Sequence, residues 1–244
     1  MSPFRSVLTC IVFGIALGLT LACSSPHGEP DKSSEVLPPN QVLDFNVLYA
    51  QNCSGCHGAD GHGGASIALA DPVYLAIADR EAIRKAVAKG VPGTSMPAFA
   101  DIEGGMLTGK QVDTIVDDIR KRWSKPGILD GTNPPPYAAQ SPGNAQNGEA
   151  AYGKFCASCH GTSGQGGPKG SAITNDSFLA LVSDQGLRTI VIVGRPELGA
   201  PDWRKNLPGQ PMSDQEITDV VAWLASRRSK TPGQPYSVSY NVQH

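Results

Sequence analysis

Two short blocks constrain what this chain can fold into more than anything else in it: Cys53-Ser54-Gly55-Cys56-His57 and Cys156-Ala157-Ser158-Cys159-His160. Both read C-x-x-C-H. Cysteines three residues apart occupy one helical turn, so their thiols face the same way. Four cysteines in an exported chain would ordinarily suggest two disulfides. A redox dithiol of the thioredoxin kind needs a βαβ surround, which this sequence lacks. Zinc could use both pairs but would not require a histidine after each. A haem does require it. Each of its two vinyl groups takes up one thiol, and the adjacent imidazole reaches beneath the ring to ligate iron from the proximal side. Two covalent haem c groups are therefore expected. One sits on Cys53, Cys56 and His57, the other on Cys156, Cys159 and His160, with the histidines as iron ligands.

The surroundings of the motif repeat with it. Tyr49 matches Tyr152, and the glycine-rich stretch Gly58 to Gly64 matches Gly161 to Gly167. Tyr74-Leu75-Ala76 matches Phe178-Leu179-Ala180, and Arg84 through Gly90 matches Arg188 through Gly194. These features are similar to those of class I cytochromes c, in both halves of the chain. The resemblance implies an all-α fold of two tandem cytochrome c domains, each a small helical fold around one haem with a helix at either end. The closing helices can be read directly. Thr108 to Gln111 and Ser213 to Glu216 are capping boxes, and each precedes an apolar stripe: Val112, Ile115, Val116, Ile119 and Trp123, then Ile217, Val220, Val221 and Leu224. The opening helices run through Leu48–Tyr49 and Ala151–Phe155 into the motifs.

Residues 44–125 and 147–230 are the expected domains, joined by a semi-rigid linker, 126–146, built around Pro134-Pro135-Pro136. Residues 231–244 are an expected irregular tail. The first 22 residues have the form of an export signal: Arg5, then an apolar run from Val7 to Leu21, then small Ala22. That run is shorter than the roughly 20 residues a membrane span needs. Thr20-Leu21-Ala22-Cys23 resembles the lipobox of bacterial lipoproteins, with Thr20 where Leu is usual. The resemblance implies that Cys23 is lipidated and that 23–43 is a lipid-proximal tether. Ordinary cleavage or an uncleaved anchor are the alternatives. Each reading places the protein outside the cytoplasm, periplasmic or held at the outer face of the membrane. With 40 % hydrophobic and 17 % charged residues the chain is globular, and a net charge of −2 without a run of either sign gives nucleic-acid binding no support.

In the class I family the distal ligand is usually a Met, often followed by Pro, before the last helix. Met96-Pro97 fits, so Met96 is the expected sixth ligand of the first iron. Aligning Gly90-Val91-Pro92 on Gly194-Arg195-Pro196 places Ala200 opposite Met96, and alanine cannot ligate iron. Met212 directly precedes the cap Ser213, as Leu107 precedes Thr108, which is the place of a hydrophobic staple against Ile217 or Val112. The second distal position stays open between a shifted loop that delivers Met212 and an open or water-bound iron. His244, Lys205 and His27 are more remote candidates, and His62 reads as an exposed residue of the first glycine-rich loop.

Two classes of function follow. One is an electron carrier in an extracytoplasmic, membrane-associated chain, with a respiratory or photosynthetic membrane complex as redox partner. The other is a haem enzyme or gas-binding protein, peroxidase-like, using an open iron in the second domain. Against the enzyme, no distal acid–base constellation can be assigned, and the nearby Arg195, Glu197 and Arg204 read as solvated loop charges. No catalytic residue is assigned, and the carrier is the expected function.

Overall fold

The structure, a computed structural model, describes residues 36–229. The export signal, Cys23, most of the tether, the tail, His27 and His244 lie outside the described residues. Up to Gln41 the described chain contains one 3-10 turn, Pro39–Gln41. Everything from Val42 onward belongs to a second compact unit.

Within that unit the described residues run twice through one order of helices. The first pass is α1 (Phe45–Asn52), α2 (Ser54–His57), α3 (Pro72–Ile77), α4 (Arg80–Lys89) and α5 (Gly109–Trp123). The second is α6 (Ala145–Phe155), α7 (Ala157–His160), α8 (Asp176–Leu181), α9 (Asp184–Val193) and α10 (Asp214–Ser226). The fold is all-α. Among the described residues no strand forms and no helix is long and apolar enough to cross a membrane.

Local chemistry explains where the helices start. Asp44, Asp71 and Asp79 cap α1, α3 and α4, and Asn144, Asn175 and Ser183 cap their counterparts. Both expected capping boxes are complete, with the Thr108 and Ser213 side chains accepting from N3 and the N3 side chains reaching back. Each such cap stabilises its helix by about 1 kcal/mol. The expected stripes face inward: Val112, Ile115, Val116 and Ile119 of α5, and Ile217, Val220 and Leu224 of α10, are buried.

Aromatic rings close the two cores differently. In the first, Trp123 meets Phe45 and Tyr49 edge-on at 5.8 and 5.4 Å; in the second, Trp223 stacks on Tyr152 at 4.2 Å. The closer second pairing follows from Gly148 in α6, where a Cβ would fall 2.0 Å from the Asp219 carbonyl oxygen.

The proline-rich segment is fastened rather than free. The Tyr137 carbonyl accepts from Gln185 Nε2 at 2.8 Å and from Arg188 Nε at 3.1 Å, while the Pro136 carbonyl accepts from Arg188 Nη2 at 2.8 Å. The Tyr137 ring lies edge-on to Tyr74 of α3 at 6.5 Å. Helix α6 takes in the last residues of the segment expected to be linker, because Asn144 caps it by accepting from the amides of Gln146 and Asn147.

Candidate haem-binding sites

Each site begins where an opening helix stops. The chain breaks at Cys53 and at Cys156, both near φ −121°, then turns once more through α2 or α7. That extra turn carries the second cysteine and the histidine. The amides of Cys56 and His57 both donate to the Cys53 carbonyl, and those of Cys159 and His160 to Cys156. Two thiols and an imidazole are thereby gathered on one turn in each half. All four thiols are free of disulfide bonds. Burial, with a smaller contribution from the neighbouring cysteine, pushes the Cys53 thiol up to about 11 and the Cys156 thiol up to about 12. Neither of these two thiols is activated towards thiolate by its surroundings.

Both imidazoles are oriented in the same way. His57 Nδ1 is 2.9 Å from the Ile67 carbonyl oxygen and His160 Nδ1 is 2.8 Å from that of Ser171. A carbonyl can only accept, so Nδ1 carries the proton and Nε2 keeps its lone pair. Burial lowers the pKa of His57, partly offset by the Ile67 bond, so the neutral ring is favoured. Tyr49 and Tyr152, one helical face before the motifs, donate their hydroxyls to the carbonyls of Gly58 and Gly161, at 2.9 and 2.5 Å. Paired thiols with an adjacent imidazole presenting Nε2 form a donor set that fits haem c.

The distal loops share two turn-closing hydrogen bonds, although only in the second does the first of these enclose a 3-10 turn, Pro196–Leu198. In the first, the Val91 amide donates to the Met96 carbonyl at 3.0 Å; in the second, the Arg195 amide donates to the Ala200 carbonyl at 2.9 Å. Gly90 and Gly194 precede these turns at φ +68° and +74°. A Cβ on Gly90 would meet the Met96 carbonyl oxygen at 2.7 Å, and one on Gly194 would meet that of Ala200 at the same 2.7 Å. Ala200 therefore stands where Met96 stands. Further along, the amides of Leu107 and Met212 donate to the carbonyls of Phe99 and Trp203, at 2.7 and 2.9 Å. Met96 is half-buried against the core, whereas Met212 is buried at the staple position beside Ile217. The Met212 sulfur accepts from Asn206 Nδ2 at 3.5 Å. His62 is exposed, as is Lys205.

The loop charges read as solvated are in fact partnered. Arg195 pairs with Glu197 and donates to the Gly64 carbonyl, and Arg204 pairs with Asp202 while lying over the Trp203 ring at 4.9 Å. The residue that sequence reasoning missed is Arg188. Its side chain is 3 % exposed and holds Asp214, Thr218 and the two linker carbonyls. Among the described residues, its counterpart Arg84 reaches the half-exposed Asp113. The match of Arg84 with Arg188 was visible in the repeat, but nothing local distinguishes their burial.

Comparison with known proteins adds to this geometry. The model of the family described as cytochrome c oxidase, cbb3-type, subunit III matches residues 40–117 and 143–224, one segment for each half. A cbb3-type cytochrome c oxidase subunit CcoP from Azospirillum sp. is 32 % identical over 148 residues, covering 54 % of this chain and 45 % of that protein. The chain thus spans under half the length of this curated relative. Among solved structures, a reducing HAO-like protein complex of Kuenenia stuttgartiensis matches 80 % of this chain and 100 % of that one at 20 % identity, with a TM-score of 0.42. A thiosulfate dehydrogenase of Marichromatium purpuratum covers 81 % of this chain and 48 % of that one at 16 % identity, with a TM-score of 0.30.

Proposed function

The chain belongs to the family of cytochrome c oxidase, cbb3-type, subunit III, and we propose from this that it relays electrons within an extracytoplasmic, membrane-associated respiratory chain. It is a class I cytochrome c of two domains carrying two covalent haem c groups. We assign the first attachment to Cys53 and Cys56 with His57 as proximal ligand and Met96 as distal ligand. The second attachment falls to Cys156 and Cys159 with His160. The observation that carries this reading is the duplicated turn: in each half two unpaired thiols and an imidazole with Nδ1 committed to a carbonyl.

Bound haem c supplies a one-electron ferric–ferrous couple. The residues of this chain do the rest. The cysteine pairs retain the group in a compartment where it could be lost to solvent. Ile67 and Ser171 fix the tautomer and rotation of the two histidines through their carbonyls. With haem bound, Met96 as a thioether ligand together with a neutral His57 would favour the reduced state, as a carrier feeding an oxidase requires. The family match supports a carrier over a peroxidase-like enzyme. Cys23 as a lipid attachment would hold the protein at the outer face of the membrane, near a partner that is itself membrane-embedded.

The test uses the full chain matured with both haems. Its mass must exceed that of the polypeptide by two haems. The reduced protein is then added to membranes containing a cbb3-type oxidase lacking its own subunit III. Oxygen-dependent reoxidation that cyanide stops is the expected result; a protein that stays reduced overturns the assignment to this chain of reactions.

A further inference from the structure

The distal loop of the second domain carries alanine in place of methionine on a similarly bonded turn, and its neighbouring side chains point elsewhere. Arg195, which stands where the first domain has Val91, donates from Nη2 to the Gly64 carbonyl at 3.1 Å, across 131 positions of sequence. Gly64 is no ordinary surface glycine. A Cβ placed on it would fall 2.2 Å from the Cys56 carbonyl oxygen and 2.6 Å from the His57 carbonyl carbon, so its backbone lies directly on the first haem motif. Ile67, whose carbonyl orients His57, lines the same seam with Val193, Gly194 and Arg195, and the void left there is only about 10 Å³. Arg195 is also tied to its own loop, exchanging both backbone hydrogen bonds with Ala200 at 2.9 and 3.0 Å and pairing with Glu197. Burial alone would raise the Glu197 carboxyl, yet the Arg195 guanidinium and, more weakly, His62 across the seam bring it below the ordinary carboxylate range.

We propose that the second domain's distal loop serves as a clamp on the proximal loop of the first domain, with Arg195 as the positioning residue that holds Gly64 and Ile67 behind His57. The side chain is mostly buried at 17 % exposure, so this is a charge-assisted hydrogen bond within a packed seam rather than a surface contact. A guanidinium at this place offsets the Glu197 carboxylate beside the loop that follows the proximal histidine, and it restrains the segment whose Ile67 carbonyl sets the basicity of that histidine. The loop that supplies an iron ligand in one domain would thus regulate the other domain's iron from behind. The proposal rests on the preceding assignment of His57 as a haem ligand.

The experiment compares the holoprotein with Arg195→Val, the residue found at the equivalent position of the first domain, and with Arg195→Lys. Amide hydrogen exchange and a potentiometric titration followed optically are recorded for each. In Arg195→Val, exchange in residues 58–68 should rise by about tenfold or more, the consequence of losing a charge-assisted hydrogen bond that holds that loop closed. The potential of the Met96 haem should fall, and fall further than that of the second haem. Arg195→Lys, which keeps the charge, should recover most of the potential. Faster exchange confined to 194–201, or equal shifts of both potentials, would overturn the clamp. Should Arg195→Val fail to accumulate, the exchange in 58–68 of Arg195→Lys against the parent decides, since lysine lacks the fork that reaches both Gly64 and Glu197. A parent protein without covalent haem on the first motif would instead defeat the haem assignment, leaving the exchange comparison to judge the clamp alone.

Discussion

In the first half, Arg84 on α4 reaches Asp113 on α5 across a half-exposed surface; in the second, its counterpart Arg188 on α9 is buried and holds Thr218, at the place of Asp113, together with Asp214 and two carbonyls of the linker. In the first half a methionine occupies the distal turn; in the second, alanine occupies the same turn and the adjacent arginine docks on the other domain. One backbone plan has been used in two ways. The first domain's side chains serve its own site, while the second domain spends several of its equivalents on joining the halves. A duplicated fold can diverge in this manner because the caps and core stripes that form each helix set are separate from the loop and edge positions that differ.

The largest test of that contrast is at the distal turns. Met96→Ala should add one carbon monoxide-reactive haem per chain to the reduced protein and lower the potential of that haem, because a thioether ligand raises it. An optical difference spectrum identical to the parent's would break the assignment of Met96. Ala200→Met should leave the first haem untouched and alter only the second, since the carbonyls of Met96 and Ala200 accept from equivalent amides.

Stability separates the paired arginines next. Arg188→Ala leaves Asp214, Thr218 and two carbonyls without their shared donor. Removing one partner of such a buried network costs about 3 kcal/mol. Arg84→Ala removes a surface pair and costs about 0.5 kcal/mol. Urea unfolding of the holoprotein, followed by circular dichroism, reads both, and equal costs would show that the difference in burial carries no energy.

The smallest effects should be symmetrical. Tyr49→Phe and Tyr152→Phe each remove a hydroxyl that donates to the glycine carbonyl ending the motif. Each should cost about 1 kcal/mol. A much larger loss in one half would mean that the two motifs are not supported alike.

Much of this is legible in the sequence. The C-x-x-C-H blocks, both capping boxes and the apolar stripes of α5 and α10 act over one or two turns, and the helices start where Thr108 and Ser213 say they should. The replacement of Met96 by Ala200 was also legible, because the glycine that precedes each turn anchors the alignment. The role of Arg195 was not. A charged residue in a loop is usually solvated, and its partner Gly64 is a backbone carbonyl that no sequence pattern marks. The linker was equally opaque: proline-rich composition signals an extended segment, but whether its carbonyls meet water or a buried guanidinium depends on what lies beside them.

By itself, then, the sequence determined the haem chemistry, the all-α class and the twofold plan, since thiol spacing, capping and helical periodicity are short-range properties of the chain. The tertiary structure alone decided which of two matched arginines is buried and where the distal loop of the second domain docks. Those outcomes depend on which surfaces meet, and desolvation and packing are set by residues far away in sequence.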